Sequence, residues 1–183
     1  MTQQHITGVS SPAAACTSRG DHYNTPLSLA RYVWKFKGER RLRDPCHNAG
    51  SILRADVTYD GTSTREDGLL AGWGFGRYEL AFANIPYSDS YPWCLKARAE
   101  AERGAEPLLL TKCDPSVGWW QAGVLPLATA IGYVRKRVSF LENGHPVKGN
   151  NFPSSFVYYG TGVARFCEVF DPIAHVEVLG RWR

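Results

Sequence analysis

The sequence predicts an α/β fold: a three-layer architecture built on a mostly parallel sheet, with an antiparallel hairpin toward the carboxyl end. Three observations lead there. Short apolar runs such as Tyr78 to Ala83 and Pro107 to Cys113 alternate with segments of helical character. Two late strand-like runs, Ala130 to Leu141 and Ser155 to Tyr159, are joined by a loop from Glu142 to Pro153 rich in Gly and Asn. A chain of 183 residues suits one core rather than two.

Residues 1 to 20 carry Gln, Ser, Thr, Ala and Gly without periodicity and are expected to form a disordered tail, leaving 21–183 as the single domain. Thr25 followed by Pro26 reads as a helix start, a hydroxyl cap and then proline in the first turn. Leu29, Val33 and Phe36 mark one face of a helix from Leu27 to about Phe36. The basic stretch Lys35 to Arg43 leads into a loop from Asp44 to Gly50, and residues 56 to 77 read as irregular. After the Tyr78 strand, Pro92 opens a second helix that Gly104 ends. Gly118 opens a short third helix or turn carrying Trp119 and Trp120, at least one of them expected in the core. Arg165 to Phe170 reads as a last short strand.

Composition narrows the function classes. Five cysteines (Cys16, Cys46, Cys94, Cys113, Cys167) form no Cys-x-x-Cys pair, which argues against a disulfide framework or zinc site and for a reducing cytoplasm. His47 has no metal-ligating constellation around it and reads as a loop residue. No apolar run is long enough to span a bilayer. A net charge of +4 permits a polyanionic partner without requiring one.

The most informative residues are Asn84, Ile85, Pro86 and Tyr87, at the end of the apolar run that begins at Tyr78. They fit the pattern Asn/Asp/Ser, Pro/Ile/Leu, Pro, aromatic, which enzymes that methylate an exocyclic amine of a base use to hold that amine. A flipped-out adenine presents two N6 hydrogens, so its site needs two acceptors and an aromatic face. Asn84 offers its side-chain carbonyl, Ile85 its main-chain carbonyl and Tyr87 its ring, while Pro86 fixes its own φ and donates no N–H. In open α/β sheets ligands sit beyond the carboxyl ends of the strands, where this turn falls.

Over roughly residues 21 to 172 the chain resembles the phage-type DNA N6-adenine methyltransferases, the small Dam-like family of phages and prophages. The resemblance rests on Tyr23-Asn24-Thr25-Pro26, Asp44-Pro45-Cys46 with Asn48, Gly50-Ser51-Ile52, and Asp67-Gly68-Leu69 with Trp73. It continues through Ala83 to Ser88, Pro92-Trp93, Arg137 to Phe140, and Phe152-Pro153-Ser154 leading into Phe156. It implies a Rossmann-like methyltransferase fold that uses S-adenosylmethionine. By the same resemblance, Asn84 to Tyr87 form the target-base site, Tyr23, Asn24, Thr25 and Pro26 lie against the cofactor, and Asp44, Pro45 and Cys46 stand at its methionine end. Asp67 is the candidate carboxylate near the adenosine, with Asp56 or Asp60 as alternatives for the ribose hydroxyls. The chain departs from the family pattern in carrying Ile85 where Pro is common. The Gly-x-Gly cofactor turn of broader methyltransferases is also not supplied by His47-Asn48-Ala49-Gly50.

Lys35, Lys37, Arg135, Lys136, Arg137 and Lys148 are the candidate phosphate contacts, with double-stranded DNA as the expected partner. The expected function is thus methylation of adenine N6 in DNA, in the host cytoplasm if phage-encoded, as a phage or restriction-modification system uses to mask DNA from nucleases. An RNA adenine methyltransferase and an inactive nucleic-acid-binding relative are the alternatives. Recognition sequence and oligomeric state stay open.

Overall fold

The computed structural model describes residues 23–61, 67–75, 78–147 and 152–180. The expected disordered tail and Lys148 lie outside them. Helix α1 (Leu27–Lys37) buries Leu29, Ala30, Val33 and Phe36 along one stripe. Its start differs from the sequence expectation. Pro26 takes the N-cap position in an extended conformation and no side chain caps the helix, while the Thr25 hydroxyl is buried without a hydrogen-bond partner. The Pro26 carbonyl accepts from the amides of Leu29 and Ala30 instead.

The basic stretch that follows ends in a strand, β1 (Arg41–Asp44), rather than in loop. Leu42 and Asp44 face inward there, and the Arg43 guanidinium forks onto Glu79 with bonds of 3.1 and 2.9 Å. One apolar residue among charges gives too little alternation to read as a strand. Next come β2 (Val57–Thr58), in the stretch expected to be irregular, β3 (Glu79–Asn84), α2 (Ser90–Glu102), β4 (Pro107–Lys112) and α3 (Gly118–Gly123). Trp120 is fully buried and Trp119 half-buried. The strand expected over 130–141 ends early, as β5 (Ala130–Val134). The loop expected after it contains a small hairpin, β6 (Leu141–Glu142) with β7 (His145–Pro146), turned by Asn143 and Gly144 at φ 52° and 80°. Two successive positive φ values are what a tight hairpin turn needs and what Asn-Gly tolerates.

The last elements are β8 (Ser154–Tyr158), α4 (Val163–Phe170) and β9 (Ala174–Val178). The strand expected over Arg165–Phe170 is therefore helix. Phe166, Val169 and Phe170 are its buried residues, at i, i+3 and i+4, a helical stripe that a short apolar run conceals. The terminal strand β9 was not anticipated.

The sheet order is β2-β1-β3-β4-β8-β5-β9, with β6 and β7 a separate antiparallel pair. Strands β1 to β5 within the sheet run one way and β8 and β9 the other, because the pairings β4 to β8, β8 to β5 and β5 to β9 are antiparallel. The expected late hairpin is the β5–β8 pair, with Ile131 opposite Val157. Two hydrophobic cores follow from the alternation along the strands. Leu80, Phe82, Leu110 and Phe156 pack with α1 and α4, while Ala81, Ala83, Leu109 and Val157 pack with α2 and α3. Asp44 follows Leu42 by two residues and Asn84 follows Phe82 by two, so both side chains leave the sheet on the α1 face, on neighbouring strands.

A Gly160-Thr161-Gly162 turn does join β8 to α4, but β8 runs against β4, so the turn lies at the opposite edge of the sheet from Asn84. There the Glu106 carboxylate accepts from the Thr161 amide at 3.1 Å and its hydroxyl at 2.7 Å. A turn already filled by a carboxylate repels an anion.

Near the carboxyl end of β1, Gly68 packs so closely on Pro45 that a Cβ would overlap the Pro45 carbonyl oxygen. Its own carbonyl accepts from the Trp73 indole at 2.6 Å, and the Trp73 amide donates to the buried Glu100 at 3.0 Å. The obstruction is backbone, so a rotamer change cannot relieve it. Gly68→Ala is expected to lower unfolding free energy by about 1–3 kcal/mol, measured by urea denaturation.

Candidate active site

Strand β3 carries Asn84 to the carboxyl edge of the sheet, and the Ile85 amide extends the pairing by donating to the Leu110 carbonyl at 3.1 Å. The Ile85 side chain is buried in the core beneath α2 and α3. The Ser90 hydroxyl, at the start of α2, donates to the Pro86 carbonyl at 3.0 Å and ties down the turn. Asn84 is 9% exposed. Its Nδ2 donates to the main-chain carbonyl of Tyr23 at 2.6 Å, and its Oδ1 is buried without a hydrogen-bond partner. A carbonyl can only accept, so the amide orientation is fixed by its partner.

Tyr87 is half-buried, its ring edge-on to Phe152 at 4.8 Å and to Phe140 at 5.9 Å. Burial pushes its phenol far up in pKa, and the Tyr23 phenol adds to that while the neighbouring Ser154 opposes it. The Thr25 hydroxyl and Asn84 Oδ1 are buried polar atoms without partners, a state that folded interiors mostly avoid.

The sequence-predicted cofactor residues converge from two segments. Asn24 is 5% exposed, and its Nδ2 donates to the Ala49 carbonyl at 2.9 Å, joining the Tyr23–Pro26 segment to the loop after β1. In that loop Asp44 is 2% exposed; its Oδ1 accepts from the Cys46 amide at 3.2 Å and its Oδ2 lies 3.3 Å from His47 Nδ1. Burial pushes the Asp44 carboxyl up in pKa, opposed by His47 and the Cys46 amide. The hydrogen bond to Asp44 raises His47 in turn. Asp67 sits beside this loop through the Gly68–Pro45 contact, and its Oδ1 accepts from the Leu69 amide at 2.8 Å. Asp56 precedes β2, with its carboxylate accepting from the Leu42 amide at 2.7 Å, whereas the exposed Asp60 follows the carboxyl end of β2.

The candidate phosphate contacts divide. Arg135, Lys136 and Arg137 are exposed just beyond β5, on the same edge as Asn84, with Arg135 3.8 Å from Asp171. Lys35 and Lys37 belong to the last turn of α1 and lie toward the other edge, where the Lys35 carbonyl accepts from Arg165 at 2.8 Å. A groove of about 990 Å³ along α1, lined by Leu27, Trp34, Lys37, Leu53, Arg54 and Leu141, does not include Asn84 to Tyr87.

Sequence reasoning missed the Tyr23 carbonyl as the Asn84 partner, since a main-chain acceptor leaves no mark in residue types. It also missed Phe140 and Phe152 as the walls that hold Tyr87. The Asp44–His47 contact had a readable signal in the spacing of three. Among the described residues no disulfide joins Cys46, Cys94, Cys113 or Cys167, no cluster of three or more His, Cys, Asp and Glu is placed to hold a metal, and no helix is long and apolar enough to cross a membrane.

A raised His47 pKa means that the protonated imidazole stabilises the fold below its ordinary value of 6.5, and that this contribution is lost as pH climbs through the folded value. His47→Gln is expected to lower the Tm at about pH 6 and to leave it nearly unchanged at about pH 9 in thermal melts.

No curated protein and no solved structure matches the chain. The protein-family model described as DNA N-6-adenine-methyltransferase (Dam) matches residues 14–162, which take in every element from α1 to β8 and the whole of the site at the carboxyl edge. The chain belongs to the Dam family of DNA N6-adenine methyltransferases.

Proposed function

We propose that this protein is an active S-adenosylmethionine-dependent DNA adenine N6-methyltransferase with a Rossmann-like three-layer fold. It is of phage or prophage origin, works in the host cytoplasm and acts on an adenine flipped from a short duplex site. The observation that carries the reading is Asn84: its amide nitrogen is engaged by Tyr23, leaving a buried acceptor oxygen without a partner. In a family that methylates adenine N6, the exocyclic amine is the donor that suits it.

In this reading Asn84 Oδ1 and the Ile85 main-chain carbonyl accept the two N6 hydrogens, and the Tyr87 ring, held by Phe140 and Phe152, supplies the stacking face. As the N6 lone pair forms its new bond, positive charge grows on that nitrogen, and fixed acceptors beside it stabilise the charge. Holding the amine in line contributes much of the remaining rate, so no general base is required before transfer.

The cofactor supplies the methyl group as a sulfonium when bound. The donor set at this edge suits it: the partnerless Thr25 hydroxyl and the buried Asp44 carboxylate lie on the two segments that Asn24 joins. Tyr23 to Pro26 with Asp44, Pro45 and Cys46 would hold the methionine end, and Asp67 would stand near the adenosine. Asp60 is favoured over Asp56 for the ribose hydroxyls, because it follows the carboxyl end of β2, the edge where ligands of open α/β sheets sit, whereas Asp56 precedes that strand. Arg135, Lys136 and Arg137 contact phosphates of double-stranded DNA from the same edge.

Asn84→Ala is expected to lower the rate of methyl transfer to DNA about a hundredfold or more while cofactor affinity changes little; equal loss of both would contradict the assignment. Asp60→Ala is expected to weaken S-adenosylmethionine binding about tenfold or more in calorimetry, with Asp56→Ala close to wild type. The reverse ranking would move the ribose site to Asp56.

A further inference from the structure

The peptide unit between Tyr23 and Asn24 links two things that the proposed reaction keeps separate. Its carbonyl oxygen, on Tyr23, accepts from Asn84 Nδ2 at 2.6 Å. Its N–H, on Asn24, donates to the Leu141 carbonyl at 2.7 Å. A trans peptide is planar, with its C=O and N–H pointing in opposite directions, so anchoring one end aims the other. The anchor is doubled by the Leu141 amide, which donates to the Asn24 carbonyl at 3.0 Å, and tripled by the Asn24 side chain on Ala49 at 2.9 Å. The Tyr23 ring also stacks on Phe140, whose edge-on neighbour is Tyr87.

We propose that Asn24 is a positioning residue for methyl transfer, holding the Tyr23–Asn24 peptide so that the Asn84 amide presents its oxygen to the target amine. With this peptide rotated away, Asn84 Nδ2 loses its acceptor and the amide is free to flip. A flipped amide sets a donor against the N6 hydrogens. The Asn24 side chain is buried on Ala49, so its effect reaches the reacting atoms through Tyr23 and Asn84 rather than by contact. The Ala49 bond also places this lever against the loop after β1, so the acceptor for the amine and the loop proposed for the cofactor share one support. The proposal rests on Asn84 as the amine acceptor.

The test uses Asn24→Ser, which removes the bond to Ala49, and the near-isosteric Asn24→Asp, which keeps the shape without the donor. Proton exchange at the Asn84 side-chain amide, followed by NMR in the cofactor-free protein, reads the orientation directly; the Leu80 and Phe82 amides in β3 serve as controls for the fold. The expected result is exchange at Asn84 faster by about tenfold with the β3 controls unchanged. In transfer assays run at saturating S-adenosylmethionine, kcat should fall by about tenfold. Unchanged exchange at Asn84 in both variants, or unchanged kcat despite faster exchange, would overturn it. If the wild type transfers no methyl group, the proposed function fails, and the exchange measurement then decides the orienting role alone.

Discussion

The hydrogen bond from Asn84 Nδ2 to the Tyr23 carbonyl organises the carboxyl edge of the sheet. It joins residues 61 positions apart, at the end of a central strand and just before the first helix. It also decides which atom of the amide stays unengaged. A buried amide oxygen without a partner costs stability, and folded proteins keep such groups where a ligand can satisfy them. In the proposed reading, the stability lost at this atom is the price of a site that recognises an amine.

The rest of the fold serves to bring three chain segments to that point. The parallel strands β1 and β3 place Asp44 and Asn84 on neighbouring strands and on one face, and α1 packs on that same face. The β6–β7 hairpin is joined to Asn24 through Leu141. The second core under α2 and α3 fixes the far side of the same turn, because Ile85 is buried there while Asn84 faces α1. A single alternation between consecutive residues therefore sends the Ile85 and Asn84 side chains to opposite faces of the sheet.

Much of this was legible in the sequence, and the parts that were not have physical causes. Helix α1, strands β3, β4 and β8 and helix α2 carry long apolar patterns or proline and glycine punctuation, and each was readable. Strand β1 is four residues long with a single apolar residue, and β2 has two residues, so their pairing comes from neighbours rather than from their own pattern. Helix α4 packs aromatics against α1, and its run of apolar residues looked like a strand until its helical stripe was visible. At the site, the side chains of the Asn84–Tyr87 turn are the kind of signal that a sequence carries. The Tyr23 carbonyl and the peptide plane behind it are backbone features, which residue identity does not encode. Thr25 shows the converse, because a residue type suited to helix capping does not cap α1 and keeps its hydroxyl buried without a partner.

The most direct test of the account is transfer of a labelled methyl group from S-adenosylmethionine to unmethylated duplex DNA by the wild-type protein, followed by nucleoside analysis of the product. The account predicts that the label appears as N6-methyladenine. Label on another nucleoside, or no transfer to any duplex by protein that is folded and binds the cofactor, would contradict it.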